Sequence, residues 1–566
     1  QRSVIMYKLQ KQLESIHRKS YPAYKSLKGV YDFKNYTLSI DHVQGDPFAS
    51  PSAVSVRIPH KLAGFPREYF DRYDKRIALQ DYLLRLFAKK ISSFSFKAKG
   101  SGKSGLISTS LCGQKILERT ACEFADKEII VRLEIGFPAN GRTINATELE
   151  KILFDFLPKC IESIFYYKKL NADNVLSVIH LAEDQTAVRE QLNENNLICF
   201  IADGSILPRE SGISDRPMKN AIPFKNPSSL LIELSLPCQR KIKSIGLKKG
   251  ITLIVGGGYH GKSTLLNAIE SGVYNHIIRD GREYVITDDT AVKLRAEDGR
   301  CIKNTDISLF INDLPNQKDT QHFSTENASG STSQSANVIE AMESGSKLFL
   351  IDEDTSATNF MVRDELMQSI VTRDKEPITP FLERVTDLYR QSGISTILVA
   401  GSSGSYFYTA DTVLQMDCYH TKEITDKVKE KCKKTTAPSL FAPNYKTPDF
   451  QRTLFAAKPN YRPNDRIKLK FHGKDSFQID RQTVDLRYVE QLADAEQTAC
   501  LAYLLKYALL HYSGSKKTVQ EIVSALTKQI ETKGLSSIFD SSYISLGLAL
   551  PRPQEIYACF NRYREL

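Results

Sequence analysis

The pattern of apolar and polar positions predicts short buried strands alternating with amphipathic helices along most of the chain. Apolar runs at residues 251–255 (ITLIV) and 347–351 (KLFLI) are typical of strands buried on both faces. Alternating runs at 36–40 (YTLSI) and 53–58 (AVSVRI) predict half-buried strands nearer the amino terminus. Helical spacing opens the chain and returns at about 486–530. The pattern therefore predicts an α/β protein.

Composition narrows the class of protein. The chain has 566 residues, of which 41% are hydrophobic and 25% charged, as in ordinary globular proteins. No uninterrupted apolar run approaches the ~18 residues that a membrane span requires, so we expect a soluble protein with no membrane partner. The ten cysteines form no C-x-x-C pair, which favours a reducing compartment over a disulfide framework or a zinc site.

A phosphate-binding loop follows the apolar run at 251–255. Residues 256–263 match G-x-x-x-x-G-K-[ST], and helical spacing follows in STLLNAIE. Backbone amides of such a loop surround phosphate oxygens, and the helix amino terminus adds partial positive charge. Lys262 is expected to reach the β- and γ-phosphates of ATP, and Ser263 to bind Mg²⁺. The predicted nucleotide contacts here are Gly256, Gly257, Gly258, Tyr259, His260, Gly261, Lys262, Ser263 and Thr264.

Two further segments predict the rest of a hydrolytic site. The second apolar run ends in Asp352 and Glu353. Asp352 suits a Mg²⁺-linked carboxylate, and Glu353 suits a base that polarises the attacking water. Between the loop and this strand, the hydroxyl-rich residues Ser329, Gly330 and Ser331 precede a helical pattern. They form either a flexible loop with a helix cap or an anion-binding turn at a helix amino terminus.

These phrases together resemble the predicted ATPases of the ABC class. The resemblance rests on DHVQGDPFASPS, GSGKSG, GGGYHGKSTLL, ASGSTSQSAN and LIDEDTSATNFM, and covers about residues 20–420. It implies a head-to-tail ATP sandwich in a homodimer, with Ser329 and Gly330 of one subunit facing the phosphate held by Lys262 of the other. It also implies RNA binding by basic surfaces. The family includes a subunit of the kinetoplastid mitochondrial RNA-editing complex, so the resemblance implies a mitochondrial RNA-processing complex, with a cytoplasmic location as the alternative.

The sequence departs from the ABC pattern at one catalytic position. ABC transporters end the last core strand with a switch histidine, whereas this chain has Ser402 there. A hydroxyl donates a hydrogen bond to phosphate but takes up no proton at neutral pH. We therefore expect slow ATP hydrolysis that depends more heavily on Glu353. Phe224 is a candidate for adenine stacking or for core packing, and Asn312 for the position of the usual Q-loop glutamine.

Basic residues are concentrated in two windows. Residues 82–117 contain seven Lys or Arg and no acid, and residues 422–474 contain 14 Lys or Arg against 5 Asp or Glu. The first window holds a second Gly-Lys-Ser, but Lys97 occupies the place of the first glycine and no helix follows, so we predict a flexible RNA-binding loop rather than a nucleotide site. In the second, 465–474 alternates as a strand with one basic face and with Ile467, Leu469 and Phe471 on a buried face. The basic face is either a phosphate-tracking surface or belongs to an edge strand protected by lysines. The predicted RNA contacts are Lys97, Lys99, Lys103, Arg466, Lys468 and Lys470.

The chain is predicted to fold as an ABC-type P-loop ATPase core with a mixed sheet and two flanking domains. We place an α+β domain at 1–215, the core at 216–420 and a basic, mostly helical domain at 421–566. The favoured function is an ATPase that uses ATP and Mg²⁺ to change its grip on RNA. The alternatives are an ATP-switched scaffold with incidental hydrolysis, a DNA-associated ABC ATPase and, disfavoured without a membrane segment, a transporter subunit.

Overall fold

The computed structural model describes residues 4–566 except 238–239, 365–366, 368–369, 372–374, 439, 441, 457–465 and 540–542. These residues form two compact units. The first comprises Gln1–Glu183 with Lys533–Leu550, and the second comprises Asp184–Thr532 with Pro551–Leu566. The predicted division at residues 215 and 420 stays a prediction, and the two units do not coincide with it. No helix among the described residues is long and apolar enough to cross a membrane.

An antiparallel sheet organises the first unit. Its strands follow the order Gly29–Asp32, Thr37–His42, Ser52–Pro59, Glu128–Ile135 and Ile107–Ser108, and Cys122–Phe124 also pairs with Glu128–Ile135. A separate pair joins Ala139–Asn140 to Thr143–Ile144. The helices are Val4–Ile16, His60–Ala63, Tyr73–Ser92, Ala146–Lys151, the π-helix Ile152–Phe156, Leu157–Ile164 and Ala172–Glu194, which ends in the second unit. Helices and sheet pack around one apolar core, so this region is α+β as predicted.

The last part of the chain contributes to the first unit as well. The Thr120 hydroxyl donates to the Ser545 carbonyl, at 2.9 Å between oxygens. The Leu550 amide donates to the Glu118 carbonyl, at 2.9 Å. The segment Lys533–Leu550 is therefore anchored by backbone and hydroxyl contacts more than 400 residues away in sequence.

A mostly parallel sheet organises the second unit. Its strand order is Val292–Leu294, Leu348–Asp352, Ser395–Val399, Ile251–Val255, Thr412–Asp417 and His420–Glu423, with only the last pair antiparallel. The smaller sheets contain Leu231–Ser235, Lys241–Lys248, Leu197–Ala202 and Val285–Thr287; Arg209–Ser211 and Ser214–Pro217; Ile302–Thr305 and Phe323–Thr325; and Leu469–His472, Ser476–Ile479 and Gln482–Asp485. The helices are Lys262–Ser271, Gly330–Glu343, Thr358–Met361, Phe381–Ser392, Thr425–Cys432, Ala495–Tyr512, Val519–Lys533 and Pro553–Arg562.

The strands of the parallel sheet are apolar because helices cover both faces. All five residues of Leu348–Asp352 and of Ser395–Val399 are buried, as the continuous apolar runs predict. The mixed α/β class and the mostly helical carboxyl-terminal region are confirmed. Parallel strands end at one edge of a sheet, where α/β proteins bind ligands, and this edge carries the residues described below.

A buried ion pair ties Arg452 to the helix Gly330–Glu343. The Arg452 guanidinium donates from Nε to Glu343 Oε1 at 2.9 Å and from Nη2 to Asn561 Oδ1 at 2.7 Å. Both charged side chains are almost fully buried, at 4% and 1% exposure. Burial raises the pKa of Glu343 even beside Arg452, so the carboxylate depends on its partner.

Replacing Arg452 by Met is expected to lower the free energy of unfolding by about 3–5 kcal/mol, because it leaves the Glu343 charge buried without its cation. Chemical denaturation of the full chain measures the change. The matched control is Arg487→Met, which removes an exposed arginine paired with Asp485 and should leave the free energy of unfolding nearly unchanged. Equal losses for the two variants would contradict the assignment.

Candidate nucleotide-binding and nucleic-acid-binding residues

The loop after the central strand Ile251–Val255 is shaped by two glycines. Gly256 has φ of +147°, and a Cβ placed there would lie 2.4 Å from the Met416 carbonyl oxygen. Gly261 has φ of +97° and stands immediately before the helix Lys262–Ser271. Larger residues are excluded at Gly256 by both the close approach and the left-handed backbone. The strand thus has the predicted bounds, and the helix extends one residue beyond the predicted segment 263–270 at each end.

The loop presents groups that suit a phosphate. Lys262 Nζ donates to the carbonyls of Gly256 and Gly257, at 2.8 Å each, so the ammonium is held over the loop. Ser263 is exposed on the first helical turn, next to Thr264. Tyr259 is fully exposed and has φ of +62°, a backbone conformation rare for aromatic residues. A cation, a hydroxyl and the amino terminus of a ten-residue helix therefore face the same short loop.

Asp352 ends the buried strand Leu348–Asp352, which is separated from Ile251–Val255 by Ser395–Val399, and Glu353 follows it in a different environment. Burial raises the pKa of Asp352, which accepts a hydrogen bond from the Asp354 amide at 3.1 Å. Glu353 instead accepts hydrogen bonds from the segment after strand Ser395–Val399. Its Oε2 accepts from the Gly401 and Ser402 amides at 2.6 and 3.0 Å, and its Oε1 from the Ser402 hydroxyl at 2.5 Å.

These contacts set the charge state of Glu353. Partial burial by itself raises the pKa of this carboxyl, but the hydrogen bonds from Ser402 and Gly401 outweigh it and hold the pKa below the usual glutamate range. Glu353 is therefore ionised at neutral pH, with both oxygens engaged. The structure brings the predicted base together with Ser402 at the position expected for a switch residue.

Mg²⁺ is the cation that this family resemblance implies, and the donor set fits it. Mg²⁺ prefers hard oxygen ligands and is bound through one or two side chains together with substrate phosphates. Ser263 offers an exposed hydroxyl after the strand Ile251–Val255, and Asp352 offers a carboxylate at the end of the strand Leu348–Asp352 in the same sheet. Lys293 also acts on Asp352 by charge, which partly offsets the effect of burial on its pKa.

The hydroxyl-rich segment caps the helix Gly330–Glu343. Ser329 is the N-cap residue, and its Oγ accepts from the Thr332 amide at 3.5 Å and lies 3.0 Å from Thr332 Oγ1. Ser329 itself is exposed, whereas Ser331 is buried. The helix therefore begins where the sequence predicts, with its first amides available to an anion.

One residue of this helix was missed by the reasoning from sequence. Gln334 is completely buried, and its amide donates to Ser356 Oγ at 2.9 Å and accepts from the Ala357 amide at 2.8 Å. Ser356 and Ala357 open the segment that follows the acidic pair. Gln334 thus connects the serine-capped helix to the segment after Glu353, and a buried glutamine in an otherwise small-residue helix is the signal that could have found it.

Several other predicted positions take structural roles. Phe224 is only 4% exposed, so it packs in the core and does not offer its ring to adenine. The Asn312 side chain donates to the Ser308 carbonyl at 2.6 Å. Asp46 accepts from the amides of Phe48 and Ala49, so the segment DHVQGDPFASPS contains a turn fixed by this side chain.

The loop that spells the other Gly-Lys-Ser is packed, not flexible as predicted. A Cβ on Gly105 would lie 2.0 Å from the Ala98 carbonyl oxygen, and one on Gly102 would lie 2.5 Å from that of Pro47. Lys97 and Lys99 are exposed, whereas Lys103 is half-buried and donates its amide to the Pro47 carbonyl at 2.8 Å. The absence of a helix after this loop agrees with the prediction, since the strand Ile107–Ser108 follows it.

The basic strand near residue 470 only partly follows its predicted alternation. Arg466, Lys468 and Lys470 are exposed and Ile467 is buried. Phe471 was predicted on the buried face but is 45% exposed, with its ring stacked on Tyr503 at 6.1 Å between centroids. The strand Leu469–His472 lies at the edge of its three-stranded sheet, so both the edge-protection and the phosphate-tracking interpretations remain.

Three family models match consecutive parts of the chain. Residues 6–168 match the model described as the amino-terminal domain of ATPases of the ABC class. Residues 171–451 match the P-loop domain of the ABC ATPases, and residues 468–566 match the MRB1590 C-terminal domain. Together they cover nearly the whole chain.

Individual relatives are more distant. An uncharacterized protein of Methanocaldococcus jannaschii is 33% identical over 248 residues, which are 42% of this chain and 54% of that protein. Among solved structures, an ATP-binding cassette of an ABC transporter in its ADP conformation has 15% identity and a TM-score of 0.23, over 35% of this chain and 91% of that one. CbiO1 of Clostridium perfringens, part of the cbiONQ transporter complex, has 13% identity and a TM-score of 0.25, over 42% and 92%.

Proposed function

Because the chain belongs to the ATPases of the ABC class, we propose that it binds ATP with Mg²⁺ between two copies of itself and hydrolyses it slowly. ATP-driven closure of the homodimer would change how its basic surfaces hold RNA. The observation that carries the proposal is the site around Glu353, in which an ionised carboxylate, the Ser402 hydroxyl and a Lys262-bearing phosphate loop occupy the end of one parallel sheet.

The chain's own residues divide the work of binding. Lys262 and the loop amides from Gly257 to Ser263 would hold the phosphates, with Lys262 exchanging its contacts to two carbonyls for phosphate oxygens. Ser263 and Asp352 would hold Mg²⁺, which supplies charge neutralisation at the transferred phosphoryl group. Ser329 and the first amides of its helix would contact the γ-phosphate bound by the other subunit, as the family resemblance implies.

Glu353 would accept a hydrogen bond from the attacking water. Its two oxygens already accept three hydrogen bonds from Gly401 and Ser402, which leaves about one acceptor position, on Oε1, for the water. A carboxylate with a lowered pKa is also a weaker base. Both effects lead us to expect slow turnover. Gln334 would act as a positioning residue, because it holds the segment after Glu353 against the serine-capped helix.

The RNA part of the proposal rests on charge and on the third family model. Lys97 and Lys99 in the first basic window are exposed, and the carboxyl-terminal region that matches the MRB1590 C-terminal domain begins with the basic residues Lys468 and Lys470. Exposed basic residues contact phosphates without sequence preference. We further propose that the protein is an accessory factor in a larger complex for mitochondrial RNA editing or processing.

Replacing Lys97, Lys99 and Lys103 together by Ala is expected to weaken single-stranded RNA binding and to reduce the salt slope by about 2, since each neutralised phosphate contributes about 0.7. Fluorescence anisotropy across a salt series measures both. The matched control replaces three exposed lysines of the same unit, Lys25, Lys28 and Lys34. An equal loss of RNA affinity in the control would assign the effect to net charge. Loss of ATP binding in the triple variant would contradict the prediction that this loop is an RNA contact and not part of the nucleotide site.

A further inference from the structure

The tip of a β-hairpin contacts the phosphate loop from outside. The hairpin joins strand Thr412–Asp417 to strand His420–Glu423 through Cys418 and Tyr419. The Tyr419 amide donates to the His260 carbonyl at 3.1 Å, and the Cys418 amide donates to His260 Nδ1 at 3.0 Å. Both tip residues have positive φ, +47° and +67°, the backbone of a type I′ turn. His260 is thereby turned toward the hairpin rather than toward the phosphate-binding face of the loop.

Three side chains of different chemistry meet at this contact. A ligand nitrogen of His260, a carboxylate oxygen of Asp417 and the Cys418 sulfur all lie within 4.8 Å of one another. His260 Nδ1 and Asp417 Oδ1 are 3.5 Å apart. Bonds of about 2.0–2.3 Å to a tetrahedral metal place two ligand atoms roughly 3.3–3.8 Å apart, so this pair already has the required separation. The sulfur requires a shift of about 1 Å or less, which an exposed side chain can make.

A contact to the second carboxylate oxygen of Asp417 orients the first oxygen for metal binding. Lys422 Nζ lies 2.8 Å from Asp417 Oδ2, which leaves Oδ1 directed at His260. The hydrogen bond and charge of Lys422 hold the pKa of Asp417 below its usual range. A metal-binding carboxylate is commonly fixed in this way by a hydrogen bond to its second oxygen.

We propose that His260, Asp417 and Cys418 bind a zinc-class divalent cation, Zn²⁺ itself or Co²⁺, with a fourth position open to water. On binding, the cation takes the place of the thiol proton of Cys418, which passes to solvent. The bond from the cation to His260 Nδ1 takes the place of the hydrogen bond that the Cys418 amide donates to this nitrogen. The nitrogen, sulfur and oxygen ligands distinguish this site from the oxygen ligands proposed for Mg²⁺, because soft ligands select zinc over magnesium. The bound cation would tie the phosphate loop to the hairpin.

The spacing of cysteines in the sequence argues against a zinc site, and the structure explains why spacing could not reveal this one. His260 and Cys418 are 158 residues apart and meet only because their strands pair in parallel, with Ile254 opposite Leu414. Among the cysteines that the structure describes, Cys418 is exposed, whereas most of the others are buried.

The test is equilibrium competition for Zn²⁺ between the nucleotide-free full chain and a chromophoric chelator. We expect the wild type to bind one Zn²⁺ per chain. Cys418→Ser should weaken the Zn²⁺ affinity by about tenfold or more, and Asp417→Asn should weaken it less. Excess Mg²⁺ should not compete. Cys432→Ser, at a half-buried thiol outside the cluster, is the matched control and should bind like the wild type. Thermal unfolding without zinc verifies that each variant is folded.

Cobalt provides an independent spectroscopic readout. Co²⁺ bound by the wild type and by Cys432→Ser should show a thiolate-to-cobalt absorption band that Cys418→Ser lacks. The proposal is overturned if folded wild-type protein binds no zinc at micromolar concentration, if Cys418→Ser retains wild-type affinity, or if the cobalt complex shows no thiolate band.

Discussion

Glu353→Gln is expected to lower steady-state ATP turnover by about 100-fold or more while leaving ATP affinity within about threefold of the wild type. The amide keeps the size of the side chain but cannot act as a base. It also cannot accept all three hydrogen bonds from Gly401 and Ser402, because one of its two polar atoms is a donor. Turnover by phosphate release and affinity by titration of a fluorescent ATP analogue measure the two quantities.

Two companion variants sharpen this prediction. Ser402→Ala removes the hydroxyl contact to Glu353 and should lower turnover by about tenfold, since two amide donors remain. Glu430→Gln, at a fully solvated carboxylate paired with Lys434, is the matched control and should leave turnover unchanged. Turnover by Glu353→Gln within threefold of the wild type would exclude Glu353 as the base. If ATP still changes the RNA affinity of Glu353→Gln, ATP binding rather than ATP turnover controls RNA binding, and the protein acts as a switch.

Lys262→Ala is expected to weaken ATP binding by about 100-fold or more, because it removes the cation that faces the phosphates in a loop of otherwise neutral groups. Stability should change little, since Lys262 contacts two loop carbonyls and no buried charge. The measurement is isothermal titration with ATP and Mg²⁺, accompanied by thermal unfolding.

The control for Lys262→Ala is Lys243→Ala, at a lysine whose side chain is 65% exposed on the strand Lys241–Lys248. This variant should bind ATP like the wild type. Retained ATP affinity in a folded Lys262→Ala protein would show that residues 256–263 do not form the nucleotide site.

The nucleotide-site elements could be predicted because their chemistry is local. Strand Ile251–Val255 has the bounds that its apolar run gives, and the strand Leu348–Asp352 ends at the predicted acid. The Ser329 cap follows from a hydroxyl before a helical pattern. In each case, the residues that determine the element are neighbours in sequence.

The predictions from sequence fail where contacts with segments distant in sequence determine the local structure. The glycine-rich loop around Gly102 was predicted to be flexible, but contacts from Pro47 fill its surroundings. Phe471 was predicted to be buried by alternation, yet its strand lies at a sheet edge where that face is open. Gln334 was overlooked because its partners lie 22 and 23 residues away.

Arg452 shows that contacts between segments distant in sequence also determine which basic residues are exposed. Arg452 is one of the 14 basic residues counted between residues 422 and 474, whereas the structure buries it against Glu343, 109 residues earlier. Basic windows therefore overstate the surface available to a polyanion. The remaining exposed positions, among them Lys97, Lys99 and Lys468, are the ones on which the RNA proposal depends.

The central claim is that nucleotide binding changes the grip on RNA, and one experiment tests it most directly. RNA affinity of the full chain is measured with and without a non-hydrolysable ATP analogue and Mg²⁺, and ATP turnover is assayed on the same sample. We predict slow but measurable turnover and a change in RNA affinity of about fivefold or more when the analogue binds. Bound analogue with identical RNA affinity in the two conditions would contradict the account.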